Sequence, residues 1–290
     1  MRAQIIDTWR RATVQASSAT ELAVDDAFVD RLVPWMRRFS AYFDSRVRGL
    51  ENVPQGPVLL VGNHSGGVLT PDTSAVFVAW REQRPEPLSI LGLDAAFTVP
   101  GLGSLMRKIG AVPASHAGAE HALSQGASVI VYPGGAEEVF RPYRDRHRVD
   151  FRGRSGFVRL ALRNQIPVVP VVGHGGHETL FILGRGERIS RWVGLDALRV
   201  NVFPIVIQAP WGLSTGGMPM IPLPARITVQ VESPMDWSHL GPEAADDPGI
   251  VRRCADEIEA RMQGTLDTLV AEDPHPLRDR LIELATPWRA

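Results

Sequence analysis

The sequence predicts an α/β fold: a largely parallel central sheet covered by helices, with amphipathic helices at the N-terminal and C-terminal ends. Short apolar segments alternate with helical patterns of roughly ten residues, which is typical of parallel sheets buried on both faces. With 290 residues, 44% of them hydrophobic and 22% charged, the chain can bury one sizeable core. No internal repeat or clear linker divides it, so one domain with helical ends is the simplest arrangement.

A helical pattern covers residues 25–48. Large apolar residues fall on one broad face and arginines accompany them: Phe28, Leu32, Trp35, Met36, Phe39, Tyr42, Phe43 and Val47, with Arg31, Arg37, Arg38, Arg46 and Arg48. An aromatic and basic stripe of this kind occurs on helices that lie in a membrane interface. Packing against a core is the more common fate of such a stripe, and both interpretations are open.

Strands and helices then alternate along the chain. Strands are predicted at residues 58–61, 89–93, 128–132, 168–172 and 226–231, and helices at 72–81, 103–109, 116–125, 155–163 and 248–270. Between residues 184 and 224 the pattern weakens, and glycine, proline and tryptophan are frequent. We expect this segment to be irregular and to border a pocket or a membrane.

Composition and charge exclude several classes of protein. The formal net charge of -1 gives no reason to expect nucleic-acid binding. Cys254 is the single cysteine, which excludes an intrachain disulfide and suits a reducing cytoplasm. No stretch approaches the roughly 18 uninterrupted apolar residues of a membrane span, and the N-terminus lacks the apolar segment of a signal peptide. We therefore expect a cytoplasmic protein.

The most informative segment follows the first buried strand, where an apolar run breaks at glycine and continues as Asn63-His64-Ser65-Gly66-Gly67. A helix is predicted to begin near Asp72, with Thr70 as its N-cap and Pro71 at the first helical position. Such a loop holds a histidine and a carboxylate at the carboxyl end of a strand, where α/β folds keep their chemistry. His64 beside Asp72 is a candidate general base, and a histidine that only closes the loop is the alternative.

A second glycine-rich loop, Tyr132-Pro133-Gly134-Gly135-Ala136-Glu137-Glu138, also follows a predicted strand. If both strands are parallel in one sheet, the two loops meet at one edge and face one cleft. Glycine lets a ligand or another backbone approach closely, although glycine and proline also dominate ordinary turns.

A basic run comes next, with six arginines between residues 141 and 154: Arg141, Arg144, Arg146, Arg148, Arg152 and Arg154. Guanidinium groups hold phosphates through forked hydrogen bonds, so this run is a candidate phosphate site. A charged loop that faces water is the alternative.

Four blocks in this order resemble the glycerophospholipid acyltransferase superfamily. They are Asn63-His64 through Asp72, the run of residues 101–110, Tyr132-Pro133-Gly134-Gly135 with Glu138, and Val168-Val169-Pro170-Val171. The resemblance covers about residues 35–235, and the order and spacing of the blocks make it specific. It implies a glycerol-phosphate-acyltransferase-like fold, with residues 1–48 as an N-terminal helical segment that faces a membrane, 49–235 as the acyltransferase core and 236–290 as C-terminal helices packed on it.

Two blocks depart from the commonest family pattern. Seven residues separate His64 from Asp72 where four are usual, which resembles a minority of members with a Ser-Gly-Gly insert. The usual third block reads Pro-Glu-Gly-Thr-Arg, whereas here Gly134, Ala136 and Glu137 replace the glutamate, threonine and arginine. That arginine is associated with a phosphorylated acceptor, and glutamate repels phosphate. The Gly-Gly form resembles the monoacylglycerol and diacylglycerol acyltransferase branch, including the plant phytyl ester synthases, and favours a neutral acceptor.

The resemblance implies acyl transfer from acyl-CoA, or from acyl carrier protein, to a hydroxyl of a mono- or diacylglycerol or a lysophospholipid. His64 is expected to act as general base with Asp72, which orients the imidazole and stabilises the imidazolium. Amide groups around Gly134 and Gly135 are expected to stabilise the oxyanion. The expected substrate-binding residues are Asn63, Ser65, Gly66, Arg107, Pro133, Gly134, Gly135, Glu138 and Arg141.

The expected partners are the acyl donor, the lipid acceptor and a membrane surface, with no nucleic acid. No metal is expected, and no cofactor beyond acyl-CoA as a co-substrate. The protein is thus predicted to lie in the cytoplasm, peripherally associated with a membrane.

Three other functions stay open. A serine hydrolase or thioesterase would use Ser65, although Asn63 stands where the nucleophile motif has glycine. A metal hydrolase would use His174-Gly175-Gly176-His177-Glu178, although the zinc-helix motif is absent. A lipid-binding protein without activity would keep the same fold.

Overall fold

In a computed structural model the chain is described at residues 24–92, 97, 101–193, 202–216 and 218–286. The strands are β1 (Arg46–Arg48), β2 (Leu59–Gly62), β3 (Leu88–Gly92), β4 (Val112–Pro113), β5 (Ser128–Val131), β6 (Val168–His174), β7 (Phe181–Gly184), β8 (Ile205–Gln208), β9 (Gly212–Thr215) and β10 (Thr228–Val231). The helices are α1 (Asp26–Tyr42), α2 (Pro71–Gln83), α3 (Leu102–Lys108), α4 (His116–Ser124), α5 (Gly135–Val139), α6 (Gly156–Asn164), α7 (Glu187–Val193), α8 (Pro248–Glu272) and α9 (Pro276–Ala285).

Seven strands form the central sheet, in the order β1-β10-β6-β2-β5-β3-β4. The five strands from β6 to β4 pair in parallel, and β10 runs antiparallel to β6. This arrangement confirms the predicted α/β fold with its largely parallel sheet. Since Val61 of β2 pairs with Val131 of β5 and Pro170 of β6, the carboxyl ends of these three strands lie at one edge.

Helices bury both faces of this sheet. On one face α4, α6 and α8 pack with Leu59 and Val61 in a large apolar cluster. On the other face α1 and α2 pack with Leu60 in a second cluster, and Trp80 of α2 is nearly fully buried there. Successive residues of a strand point to opposite faces, so one continuous apolar run supplies both clusters.

Helix α1 is shorter than the predicted helix, which extended to residue 48. Its first turn is capped by Asp25, which accepts the Phe28 amide, and it ends before Asp44, whose φ of 45° is left-handed. The next residues form the edge strand β1 beside β10. Four of the eight apolar residues of the stripe pack on the core, namely Met36, Phe39, Phe43 and Val47, and the Arg37 guanidinium pairs with Glu82. Packing therefore accounts for half of the stripe, while Trp35 stays 66% exposed.

The 184–224 segment is more regular than predicted. Strands β7, β8 and β9 form a separate antiparallel sheet, called the small sheet below. Its inner side chains, Ile182 and Val206, pack with Leu180, Phe140 and Met220. None of the helices in the described ranges is both long enough and apolar enough to span a membrane.

Candidate active site

The carboxyl ends of β2, β5 and β6 bring three loops together. The loop after β2 carries His64, the loop after β5 carries Tyr132 and the two glycines, and the loop after β6 carries His177. A Cβ atom on Gly66 would lie 3.2 Å from the Gly176 carbonyl oxygen, so the first and third loops are in contact. Because β2 and β5 pair in parallel, the two glycine-rich loops that follow them also lie at one edge, as predicted.

Tyr132 is the immediate neighbour of His64. The two rings stack with centroids 4.4 Å apart and planes 20° apart. Gly62 makes this possible because a Cβ atom there would overlap the tyrosine ring. The Tyr132 hydroxyl accepts a hydrogen bond of 2.8 Å from Thr73 Oγ1, which fixes the other end of the ring. Sequence analysis identified Tyr132 only as part of a motif, and its position after a strand and before Pro-Gly-Gly was the available signal.

Asp72 is buried at the start of α2, and its oxygens are occupied by groups other than His64. Oδ2 accepts a hydrogen bond of 2.8 Å from Ser65 Oγ, and Oδ1 accepts one of 2.8 Å from the Thr73 amide. His64 Nδ1 is buried and has no hydrogen-bond partner among the described residues. The expected orientation of the imidazole by Asp72 is therefore not seen, because the seven-residue loop places the Ser65 hydroxyl at the carboxylate.

Burial shifts both groups towards their neutral forms. It lowers the pKa of His64 to about 4. It raises the pKa of Asp72 to about 6, against the opposing hydrogen bonds from Ser65 and Thr73. At pH 7 the imidazole is thus neutral and able to accept a proton, and Asp72 is mostly ionised.

The loop between His64 and Asp72 depends on left-handed backbone. Gly66 has φ of 81°, and a Cβ atom there would lie 2.6 Å from Pro71 Cδ. Pro71 occupies the first turn of α2 as predicted. Thr70 occupies the N-cap position as predicted, but its φ of 37° is left-handed and its side chain makes no capping hydrogen bond.

Asn63 joins the ends of β2 and β6. Its Nδ2 donates to the Gly173 carbonyl at 2.9 Å, and its Oδ1 accepts from the Gly173 amide at 2.7 Å. The sequence predicts that Asn63 binds substrate, whereas its two hydrogen bonds to Gly173 give it a structural role. Gly173 also lets Asp72 approach, because a Cβ atom there would lie 3.3 Å from the Asp72 carboxylate.

Glu138 places a buried carboxylate against Gly134. A Cβ atom on Gly134 would overlap Glu138 Oε2, so position 134 has no room for a side chain while Glu138 is in place. Glu138 Oε1 accepts from Arg141 Nη2 at 3.2 Å, and burial raises the pKa of Glu138 to about 8. The Glu138 carboxylate therefore fills the space that a side chain at position 134 would need.

Arginines of the basic run are mostly engaged with protein groups. Ion pairs to acidic neighbours hold Arg141, Arg144, Arg146, Arg152 and Arg154. Arg154 Nη1 also donates to the carbonyls of Pro133 and Gly134, at 3.0 and 2.7 Å. Arg154 therefore anchors the glycine loop, and the interpretation of the run as a phosphate site stays a prediction.

Arg107 and the amides of the glycine loop are also expected to bind substrate. Arg107 lies on α3, and its guanidinium makes no hydrogen bond or ion pair with a residue of the described ranges. The Gly135 amide donates to the Tyr132 carbonyl at 3.1 Å, so it is engaged in the turn. Of the two glycine amides expected to form an oxyanion site, only that of Gly134 has no described acceptor.

Histidines at the end of β6 border the site. His174 bonds through Nε2 to the Asp273 carbonyl at 2.8 Å. Burial, with positive charge from Arg141 and neighbouring histidines, lowers the pKa of His177 to about 3. Within the described ranges, no group of three or more His, Cys, Asp or Glu residues is placed to hold a metal ion.

An apolar cavity of about 320 Å³ lies beside the glycine loop, between α4 and α6. Leu91, Val131, Phe157 and Leu160 line it, and Tyr132 borders it as well as His64. None of the residues that line this cavity comes from the segment of residues 184–224, so the expectation that the segment borders a pocket or a membrane stays a prediction.

Comparisons with known proteins show the family of this chain. Residues 44–173 match the protein-family model Acyltransferase. The chain is 31% identical over 259 residues to an uncharacterized protein of Mycobacterium tuberculosis, covering 88% of this chain and 70% of that one. This chain belongs to the glycerophospholipid acyltransferase superfamily. It is therefore an acyltransferase by family, as the four sequence blocks predict.

More distant similarities point the same way. The mouse DGAT1/2-independent enzyme synthesizing storage lipids is 21% identical over 196 residues, which are 68% of this chain and 58% of the mouse protein. The crystal structure of the 1-acyl-sn-glycerophosphate acyltransferase of Thermotoga maritima aligns with a TM-score of 0.50 at 15% identity. That alignment covers 93% of this chain and 98% of the other, and it confirms the fold.

Proposed function

We propose that this protein transfers a fatty acyl group from acyl-CoA to a hydroxyl of a glycerolipid, with His64 as the general base. The observation that carries the proposal is the His64 imidazole itself. It is held between Tyr132 and the glycine loops, is neutral at pH 7 through burial, and has a nitrogen free of described partners. A neutral imidazole with an unoccupied nitrogen, at the edge of a parallel sheet, can accept the proton of a hydroxyl group.

The reaction needs no covalent enzyme intermediate. His64 accepts the acceptor hydroxyl proton as the oxygen attacks the thioester carbonyl carbon. The carbon–sulfur bond breaks, and the thiolate takes the proton from the imidazolium. Because Asp72 is bonded to Ser65, we assign it to holding the loop that carries His64. The Gly134 amide is the candidate donor to the oxyanion, and one such donor contributes about 3–4 kcal/mol in other enzymes.

A neutral acceptor, monoacylglycerol or diacylglycerol, is favoured over a phosphorylated one. Glu137 stands where the usual block has its phosphate-associated arginine, and it pairs with Arg152 and Arg154. Those arginines are therefore partly neutralised, and a phosphate here would meet the Glu137 carboxylate. The name of the mouse relative, which refers to storage lipids, supports this choice.

The apolar cavity beside Tyr132 is the candidate site for the acyl chain. Its walls are mostly aliphatic and aromatic, and apolar cavities bind chains by removing them from water. Since Tyr132 borders both the cavity and His64, a chain held there would place its thioester near the base.

Ser65 is a poor candidate for a hydrolase nucleophile. Its hydroxyl donates to Asp72, and no hydrogen bond joins it to His64 in the described structure. A serine nucleophile needs its hydroxyl proton directed to the base instead. The geometry thus favours transfer by a direct route over hydrolysis through a serine ester.

The test is thiol release from long-chain acyl-CoA with monoacylglycerol, diacylglycerol and lysophosphatidic acid as acceptors. We expect release that depends on a neutral acceptor and falls at least about a hundredfold in His64→Ala, since a general base contributes 10²–10⁴-fold. His239→Ala, a change at an exposed histidine, serves as the matched control. Equal release without acceptor would indicate a thioesterase, and activity unchanged in His64→Ala would contradict the proposal.

A further inference from the structure

The small sheet is apolar on the face that points away from the rest of the protein. Ile182 and Val206 point inwards and are buried, as expected of a sheet packed on a core. Their neighbours on the outer face are apolar too. Ile207 and Leu213 lie directly opposite each other on β8 and β9, with 46% and 70% of their surface exposed. A sheet with one solvated face normally carries polar residues there.

Further exposed apolar side chains lie in the same stretch of the chain. We define the outer patch as seven exposed side chains: Leu183, Trp192, Ile207, Trp211, Leu213, Met218 and Ile221. They are seven of the fifteen large apolar residues exposed in the described ranges, although they come from one short segment. A concentration of this kind marks an interaction surface.

Positive charge accompanies the outer patch. Residues 181–225 contain four arginines against two acidic residues. Arg188 and Arg191 on α7 are exposed, precede the exposed Trp192 in sequence, and form no ion pair with any residue of the described ranges. Tryptophan and arginine beside an apolar face are the composition of a membrane-contacting surface.

The outer patch is connected to the active site through the inner face of the same sheet. Phe140, the residue after α5, packs with Leu180 and Ile182. A Cβ atom on Gly67, in the loop that carries His64, would lie 2.8 Å from Leu180 Cδ2. The small sheet therefore abuts both catalytic loops, and a partner on its outer face would lie close to the site.

We propose that the outer patch docks on the surface of an anionic phospholipid bilayer. The apolar side chains would enter the headgroup boundary, and Arg188 and Arg191 would lie against lipid phosphates. A second copy of the chain fits less well, because a two-fold contact places identical patches together and would bring these arginines close to one another. Docking in this way lets a lipid acceptor reach His64 from the bilayer, a purpose that rests on the proposed function.

Vesicle flotation tests the proposal directly, with vesicles of phosphatidylcholine alone or mixed with phosphatidylglycerol. We expect wild type to float with the mixed vesicles. The double variant Ile207→Asp with Leu213→Asp should lose at least about tenfold in binding, because it places charge where apolar contact is needed. Arg188→Glu should lose at least about fivefold on mixed vesicles, and Arg191→Glu likewise, with little effect on phosphatidylcholine alone.

Matched controls come from exposed positions elsewhere. Ile282→Asp on α9 changes an apolar residue that is 55% exposed, similar to Leu183 at 54%. Arg253→Glu reverses the charge of an exposed arginine near the start of α8. The opposite end of this helix, and not the start, lies next to His174. Both should float as wild type does. Trp35→Asp tests the competing prediction that α1 is the membrane contact, and it should also retain binding.

Three results would overturn the proposal. They are wild type that does not float with mixed vesicles, outer-patch variants that float as well as wild type, and equal losses in the control variants. Sedimentation supplies one more: a wild-type dimer that the Ile207→Asp and Leu213→Asp changes convert to monomer would identify the patch as a contact between copies.

Failure of docking and failure of the proposed function give different results. Flotation requires no catalysis, so it can succeed in a protein that releases no thiol. Conversely, the outer-patch variants should keep their thiol release with a detergent-dispersed acceptor and lose activity with the acceptor in vesicles. Such a split would show up as a raised KM for vesicle-borne acceptor with kcat in detergent unchanged.

Discussion

His64 combines burial with an unoccupied nitrogen, which is unusual for a polar group in a protein core. Its neighbours explain how the imidazole is held without a carboxylate: Tyr132 stacks on one face, and Gly62 leaves space for that ring. The carboxylate of Asp72 is nearby in sequence but is bonded to Ser65 and Thr73. Both ionisable groups are consequently shifted by burial, and their titration is the most direct consequence to measure.

The acid limb of the pH–rate profile should follow Asp72. Activity requires neutral His64, with a pKa of about 4, and the ionised Asp72 that holds its loop, with a pKa of about 6. We therefore expect kcat/KM to rise as the pH passes through about 6. Ser65→Ala removes a hydrogen bond that lowers the pKa of Asp72, so it should move this limb to higher pH and leave measurable activity. An unshifted limb in Ser65→Ala, with Ser238→Ala as the control, would contradict this assignment.

Asp72→Asn should change the dependence of stability on pH. The folded-state pKa of Asp72, about 6, lies above its ordinary 3.8, so its contribution to stability is present at low pH and lost as the pH rises through about 6. A pKa difference of about two units corresponds to about 2–3 kcal/mol of stability. Relative to wild type, the free energy of unfolding of Asp72→Asn should increase by about this amount between pH 4 and pH 7. Urea titrations at the two pH values measure this difference. Parallel curves for the two proteins would show that Asp72 is not shifted.

At the scale of elements, helix α5 and the glycine loop before it form one unit. Glu138 of α5 lies against Gly134, and Arg154 fixes the carbonyls of Pro133 and Gly134 from the following segment. Position 134 must therefore be glycine, because the Glu138 side chain one turn further along fills the space that a side chain there would need. This relation can be tested by moving the carboxylate.

Gly134→Ala should be destabilising by about 1–3 kcal/mol, because its Cβ atom overlaps the Glu138 carboxylate and overpacking has this magnitude. Glu138→Ala should relieve the overlap, so the double variant should recover stability in thermal melts. Gly134→Glu combined with Glu138→Ala restores a carboxylate to the same space and should be more active than Glu138→Ala alone. Gly264→Ala on α8, where a Cβ atom meets nothing, is the control. Additive losses in the double variant would contradict the contact.

At the scale of the whole molecule, the long helix α8 completes the core on one face of the central sheet. Ile258 and Met262 are fully buried there, in the same cluster as Leu59 and Val61 of β2. The strand that carries the candidate base therefore depends on packing from a helix about two hundred residues further along the chain.

Met262→Ala should reduce the free energy of unfolding by about 2–5 kcal/mol, since truncating a buried methionine leaves a cavity. Chemical denaturation followed by circular dichroism measures the change. Arg252→Ala, at an exposed position of the same helix, should stay within about 0.5 kcal/mol of wild type. A loss at Met262 as small as the loss at Arg252 would show that α8 does not contribute to the core.

The sequence by itself determined the fold class, most central strands and helices, the pairing of the two glycine-rich loops at one edge, and the family. These follow from local patterns, since apolar runs, helical periods and motif order are written along the chain. The tertiary structure decided which side chains and strands contact one another, and sequence patterns do not specify those contacts. Ser65 rather than His64 bonds to Asp72, acidic neighbours neutralise most of the basic run, and residues 205–215 pair as strands of the small sheet. Each of these depends on distances between residues far apart in the chain or across a loop, and such distances are fixed only when the whole core packs.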